Sequence, residues 1–268
     1  MLRATPSDGR FRMADVDPAA TPGLKTLKRA EKDEARHRAV LFDLQERLFA
    51  DKKRSLLIVL QGMDGSGKDG TITHVIGNLN PQGVNITAFK VPTPEERRHG
   101  FLWRIRRHLP APGMIGIFNR SHYEDVLIAR VHGLAAPPVI ERRYEVINRF
   151  ERELVRTGTR LVKLCLDISY QEQRQRFLDR LEDPDKRWKF SEHDIDERAY
   201  WDDYMSAYSI AITRCSTEWA PWYVVPANDK EYRNWAVARV LIETLEEMNP
   251  QYPQPKLDLP RLMKRLNA

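Results

Sequence analysis

Cysteine is almost absent from this chain, with two in 268 residues, too few for a disulfide framework. Cys165 and Cys215 stand far apart, each in an apolar pattern. They read as buried thiols in a reducing cytoplasm, with a disulfide or a metal pair as the alternative. No apolar run approaches the length of a bilayer span, and the first residues have no apolar core of a secretory leader. A cytoplasmic protein with no membrane contact is therefore expected. Acidic residues are missing from one conspicuous place. Residues 97–108, RRHGFLWRIRRH, hold five arginines and two histidines and no carboxylate. One hydroxyl is missing as well: in LQGMDGSGKDGT (60–71) the lysine is followed by Asp69, where a phosphate-binding loop normally places Ser or Thr.

What is present is ordinary in size and unusual in charge. The length suits one large domain or two small ones, and a 41% apolar content is enough to build a core. The net charge of +6 suggests a polyanionic partner, or simply a solvated basic surface. Residues 1–22 are polar and rich in Pro, Ala and Asp, and read as a mobile tail. Residues 24–52 read as an amphipathic helix or helix pair. Strands are then expected at 56–62, 84–90, 113–119, 160–168 and 222–227. Helices are expected at 67–79, 138–157, 170–182, 193–215 and 230–249. No internal repeat is visible. This alternation predicts an α/β fold with a parallel sheet covered on both faces, whose ligands belong at the carboxyl ends of the strands.

Gly62-x-x-x-x-Gly67-Lys68 lies at one such end, between a strand and a helix. Gly62, Gly65 and Gly67 let the backbone approach phosphate oxygens, and Lys68 adds a charge for the transferring group. Asp69 is either a metal ligand or an acid favoured in the first helical turn. Asp64, inside the loop, is the better candidate for Mg²⁺, or else caps the turn. After the third strand, Asn119 stands where loops of this class usually keep an acid. Arg120 follows, placed to stabilise charge on a phosphoryl group, and then come Glu124 and Asp125, metal ligands or first-turn acids. Residues 97–108 either form an anion-binding track, with Arg97, Arg104, Arg107 and His108 beside Lys90, or a solvated face. In RLEDPDKRWKFSEHD (180–194), Lys186, Arg187 and Lys189 surround Trp188, read as a packing anchor rather than a base-stacking platform, in the position of a lid over the phosphates. Ser191 and Asp194 there resemble a helix cap.

The stretches GMDGSGKDGT, FKVPTPEE, FNRSHYEDVL and DPDKRWKFSEHDIDERAYWDDYMSAY, in that order over residues 56–208, resemble the polyphosphate kinase 2 family. The resemblance implies a thymidylate-kinase-like P-loop fold, a three-layer sandwich on a five-stranded parallel sheet with a helical lid at about 180–208. It implies a kinase domain over 23–250 and a C-terminal extension over 251–268. It implies reversible, Mg²⁺-dependent phosphoryl transfer between inorganic polyphosphate and nucleotides, with Mn²⁺ as a substitute metal. AMP, ADP and ATP would be the nucleotides, with guanine nucleotides as a further possibility, and the protein would be a homo-oligomer. By the same resemblance Asp64 serves the metal, assisted by Glu124, and Arg120, Lys186, Arg187 and Lys189 serve the phosphate chain. Gly62, Gly65, Ser66, Gly67, Lys68, Asp69, Gly70 and Lys90 make up the expected phosphate and nucleotide site, with Lys68, Arg120 and Asp64 catalytic. Many members carry Asp where this chain has Asn119. The FNRSHYED version is similar to the subgroup acting on both nucleoside mono- and diphosphates. Two rivals share the loop: an ATP-dependent nucleoside monophosphate kinase, and a basic P-loop protein that binds nucleic acid without phosphotransfer. No nucleic-acid-binding module is recognisable in the sequence, so no such partner is expected.

Overall fold

A computed structural model describes residues 2–4 and 9–268. Five parallel strands form one sheet in the order β2-β3-β1-β4-β5. They are β1 (Ser55–Gln61), β2 (Val84–Ala88), β3 (Ile115–Asn119), β4 (Thr159–Asp167) and β5 (Trp222–Pro226). β1 is buried along its whole length, which is why its sequence is a continuous apolar run rather than an alternating one. Its side chains still divide by the period of two. Leu56, Ile58 and Leu60 enter one core and Leu57 and Val59 the other.

The first core lies under α1 (Leu27–Asp51) and α9 (Lys230–Met248), which pack on each other. Leu41, Leu44 and Leu48 recur at helical spacing on the buried face of α1. The second core lies under α5 (Pro137–Arg156) and α8 (Trp201–Cys215), through Tyr144, Ile147 and Phe150 of the one and Tyr208, Ala211 and Ile212 of the other. The expected three layers are present. Cys165 and Cys215 are both buried and free. No helix among the described residues is long and apolar enough to cross a membrane.

Five expectations need correction. Trp188, expected to anchor packing, is 77% exposed. The cap expected at Ser191 and Asp194 is not formed, since the helix His193–Glu197 has Glu192 at its N-cap and no side-chain capping bond. The stretch 1–22 is expected to be mobile, but several of its described residues are docked. The Ala4 N–H donates to the Trp222 carbonyl at 2.8 Å and the Val224 N–H to the Leu2 carbonyl at 2.9 Å, so residues 2–4 cover the outer edge of β5. Further on, the Phe11 and Met13 N–H groups donate to Thr213 Oγ1 and Ser209 Oγ of α8, and Met13 is buried. An edge strand offers unpaired backbone groups, and composition does not reveal which segment will take them. The helix expected at 193–215 is interrupted: α7 (His193–Glu197) ends in a 3-10 turn, Arg198–Tyr200, before α8 begins. The helix expected at 67–79 is α2 (Lys68–Thr71) followed by a π-helical turn, Ile72–Ile76. Completing the fold are α3 (Leu102–Arg106), α4 (Ile128–Val131), α6 (Tyr170–Glu182) and α10 (Leu259–Leu266). Residues 251–268 are exposed throughout.

Candidate active site

The loop between β1 and α2 turns on three glycines in the left-handed region, Gly62 (φ 144°), Gly65 (φ 85°) and Gly67 (φ 99°), where other residues are strained. Space is short as well: a Cβ on Gly62 would come within 2.5 Å of the Leu166 carbonyl. Lys68 folds back into the loop and donates to the carbonyls of Gly62 (2.7 Å) and Met63 (3.2 Å). Burial lowers its pKa, against the opposing pull of Asp64. Ser66 is fully buried and its hydroxyl has no hydrogen-bond partner among the described residues.

Arg120 stands at the end of β3, its N–H bonded to the Leu60 carbonyl at 3.0 Å. Its φ of 61° is strained for a residue with a side chain, at a cost of order ~1–3 kcal/mol. That turn aims the guanidinium across the phosphate loop to Asp64 Oδ1 at 2.7 Å, with Glu124 at 3.9 Å on its other side. Burial opposes the charge on Asp64, but Lys68 and Arg120 outweigh it and hold the carboxyl below its ordinary range. Glu124 is oriented from β1 by Gln61, whose amide donates to it at 2.8 Å and accepts from the Ser121 hydroxyl. Asn119 donates its amide to Asp69 at 2.7 Å. A carboxylate at 119 would repel Asp69, so Asn119 and Asp69 form a compatible pair.

Two cavities meet at the Asp64–Arg120 pair. One, of about 540 Å³, has more cations than acids: Lys68, Arg120, Arg176, Arg180, Lys186, Lys189, Lys230 and Arg233 line it with the loop glycines, against Asp64, Asp69, Asp179, Asp194 and Glu231. The other, of about 140 Å³, lies between the loop and α8, with Met63, Leu127, Ile128, Tyr204 and Tyr208 beside Glu124 and Asp194. Tyr208 accepts the Gly62 N–H at 3.1 Å. α6 clamps the loop from the other side. Gln173 donates to the Asp64 carbonyl at 2.7 Å and Arg176 to the Gly65 carbonyl at 2.8 Å.

The phosphate loop, Lys68, Asp64, Arg120 and Glu124 thus converge, and the lid lysines Lys186 and Lys189 line the larger cavity with Asp69 and Gly70. The remaining candidates do not. Arg187 turns away to the Leu181 carbonyl. Arg97 donates to the Pro92 carbonyl. Arg104 is buried against the Lys90 carbonyl at 2.7 Å and Glu96 at 3.8 Å. Arg107 lies over the Trp103 ring and His108 meets the edge of Phe89. None of these, nor Lys90, lines either cavity. Conversely, the sequence reading missed Arg176, Arg180, Lys230 and Arg233, which lie on amphipathic helices with no local motif to mark them.

The family description "Polyphosphate kinase 2" matches residues 25–253. The chain belongs to the polyphosphate kinase 2 family. It is 48% identical over 250 residues to the AMP/ADP-polyphosphate phosphotransferase of Meiothermus ruber, covering 93% of this chain and 94% of the relative. It is 45% identical over 230 residues to the ADP-polyphosphate phosphotransferase of Rhodopseudomonas palustris, covering 80% and 78%. The crystal structure of polyphosphate kinase 2 from Arthrobacter aurescens superposes with a TM-score of 0.96 and 47% identity, over 100% of this chain and 95% of that one. Membership of the polyphosphate kinase 2 family makes the loop and its cationic cavity the parts that await chemistry.

Proposed function

We propose that the protein transfers phosphoryl groups between inorganic polyphosphate and adenine nucleotides, taking both AMP and ADP as acceptors, with guanine nucleotides as further substrates. The observation that carries this reading is the pair of cavities meeting at Asp64 and Arg120. The larger, lined by lysines and arginines, suits a polyanionic donor, and the smaller one, between Met63 and Tyr208, receives the acceptor. Relatives named for AMP/ADP and ADP acceptors support the nucleotide assignment.

A terminal phosphate oxygen of the nucleotide attacks the end phosphorus of the chain in line. The bridging P–O bond breaks, and its electrons leave with a chain shortened by one phosphate. The nucleophile is already anionic, so positioning and charge stabilisation carry the rate. Lys68 and Arg120 neutralise the transferring group, and Arg120 is held on the line between donor and acceptor by Asp64 and Glu124. Asp64 and Glu124 also fit a Mg²⁺ site. They are hard oxygen donors flanking the transfer point, and substrate phosphates would complete the metal's shell. When bound there, the metal would neutralise phosphate charge. ATP formation from purified protein, polyphosphate and Mg²⁺, with AMP or ADP as acceptor, tests the reading. ATP is expected with both acceptors, and none without polyphosphate. Equal ATP formation in the absence of polyphosphate would refute it.

A further inference from the structure

We propose that Arg233 holds the donor polyphosphate chain behind the transferring phosphoryl group, so that the chain runs over α2 and the start of α9 rather than along residues 97–108. This rests on polyphosphate being the donor. Arg233 is 3% exposed, and among the described residues its guanidinium hydrogen-bonds only to the side-chain oxygen of Asn234, at 2.8 and 3.2 Å. Among the described residues no carboxylate pairs with it. The other buried arginines differ. Arg176 has Glu172 at 2.7 Å and three backbone carbonyls, and Arg104 has Glu96 and a carbonyl.

The guanidinium of Arg233 lies on the phosphate loop itself. A Cβ on Gly67 would sit 2.0 Å from Nη1, and one on Gly70 3.1 Å from Nη2. It therefore borders the cationic cavity beside the phosphate loop. Burial and the neighbouring Arg176 together push its pKa down to about 10. Glu231 and Asp229 offset this only in part and form no ion pair with it among the described residues, and a planar fork matches two phosphate oxygens. Lys230 and His74 line the same cavity, where they would meet further phosphates of the chain. Residues 97–108 offer no comparable group, because their one buried arginine is already paired.

Equilibrium binding of polyphosphate by calorimetry, together with initial rates, would be measured for the wild type, Arg233→Lys, Arg233→Gln and Arg107→Gln, with thermal unfolding of each. Arg233→Gln is expected to weaken polyphosphate binding and raise its KM about tenfold or more, the worth of one charged hydrogen-bonding group. The KM for ADP should stay within about twofold, because this group would contact only the donor. Arg233→Lys should recover part of the loss, and polyphosphate affinity of Arg233→Gln should depend less steeply on salt. Three results would overturn the assignment: unchanged polyphosphate affinity, equal rises in both KM values, or a larger loss in Arg107→Gln. Wild-type protein that neither binds polyphosphate nor uses it would instead remove the donor reading, and the assignment with it.

Discussion

Lys163 and Lys68 are both buried lysines, one on β4 and one at the end of the loop after β1, and their surroundings are opposite in kind. Lys163 donates to Glu151 at 2.6 Å, to the Tyr123 hydroxyl at 2.9 Å and to the Cys215 carbonyl at 2.6 Å. Three donors meet three acceptors. The other Glu151 oxygen accepts from Tyr123 at 2.8 Å and faces His122 at 3.2 Å. Lys68 donates to two carbonyls, and its nearest carboxylate, Asp64 at 3.8 Å, is already engaged by Arg120. Both lysines are charged groups withdrawn from water, but only Lys163 is fully answered by the protein. Charge that the fold satisfies internally holds the structure together. Charge left facing a cavity is available to a substrate.

Breaking the open cluster should abolish chemistry and spare the fold. Lys68→Ala should lower kcat/KM for polyphosphate-dependent ATP formation by about 10³-fold, the scale of removing a transition-state charge contact. Its unfolding midpoint should move little. Near-wild-type rates would show that Lys68 is no more functional than Lys163.

The closed cluster should respond the other way. Lys163→Met leaves Glu151 buried and uncompensated, and should cost about 3–5 kcal/mol in urea unfolding. Pairing it with Glu151→Leu should recover much of that loss, since replacing both charges is often close to neutral. Wild-type stability in the single variant would erase the contrast.

Asp167 gives a third and smaller test, a charge neither paired nor facing substrate. Burial and then Asp17 push its carboxyl up to about 7, and Oδ2 has no hydrogen-bond partner among the described residues. The folded state keeps the proton longer than the unfolded chain does. The contribution of Asp167 is therefore fully favourable at low pH and is lost as pH rises from about 4 to about 7. Asp167→Asn should remove that slope. Its melting temperature should exceed wild type at pH 8, by a gain of order ~1–3 kcal/mol, and approach it at pH 5. An offset identical at both pH values would contradict the buried-acid account.

Much of this was legible in the residues. β1 and the phosphate loop are local: an apolar run, then glycines that allow positive φ, then a lysine. The sheet followed from alternating patterns, with strand limits displaced by a residue or two. Arg120 could be named because it adjoins a strand end. The basic run at 97–108 is expected to border the site but lines neither cavity, for a physical reason. Local composition does not tell whether an arginine will find a carbonyl, a ring or solvent, and Arg104 and Arg107 found the first two. The tail over 1–22 misled similarly, because its partners on β5 and α8 lie some 200 positions away.

The line between the two kinds of knowledge follows the range of the forces involved. Side-chain periodicity, glycine conformation and the order of motifs act between near neighbours, so the sequence alone carried the α/β class, the loop, Lys68, Asp64 and the family resemblance. Burial and charge pairing depend on which distant segments the sheet order brings together. Gln173 and Arg176 reach the loop across more than 100 positions, and Arg233 reaches Gly67 from the last long helix. Only the folded chain settles which cations are already answered and which still face the cavity.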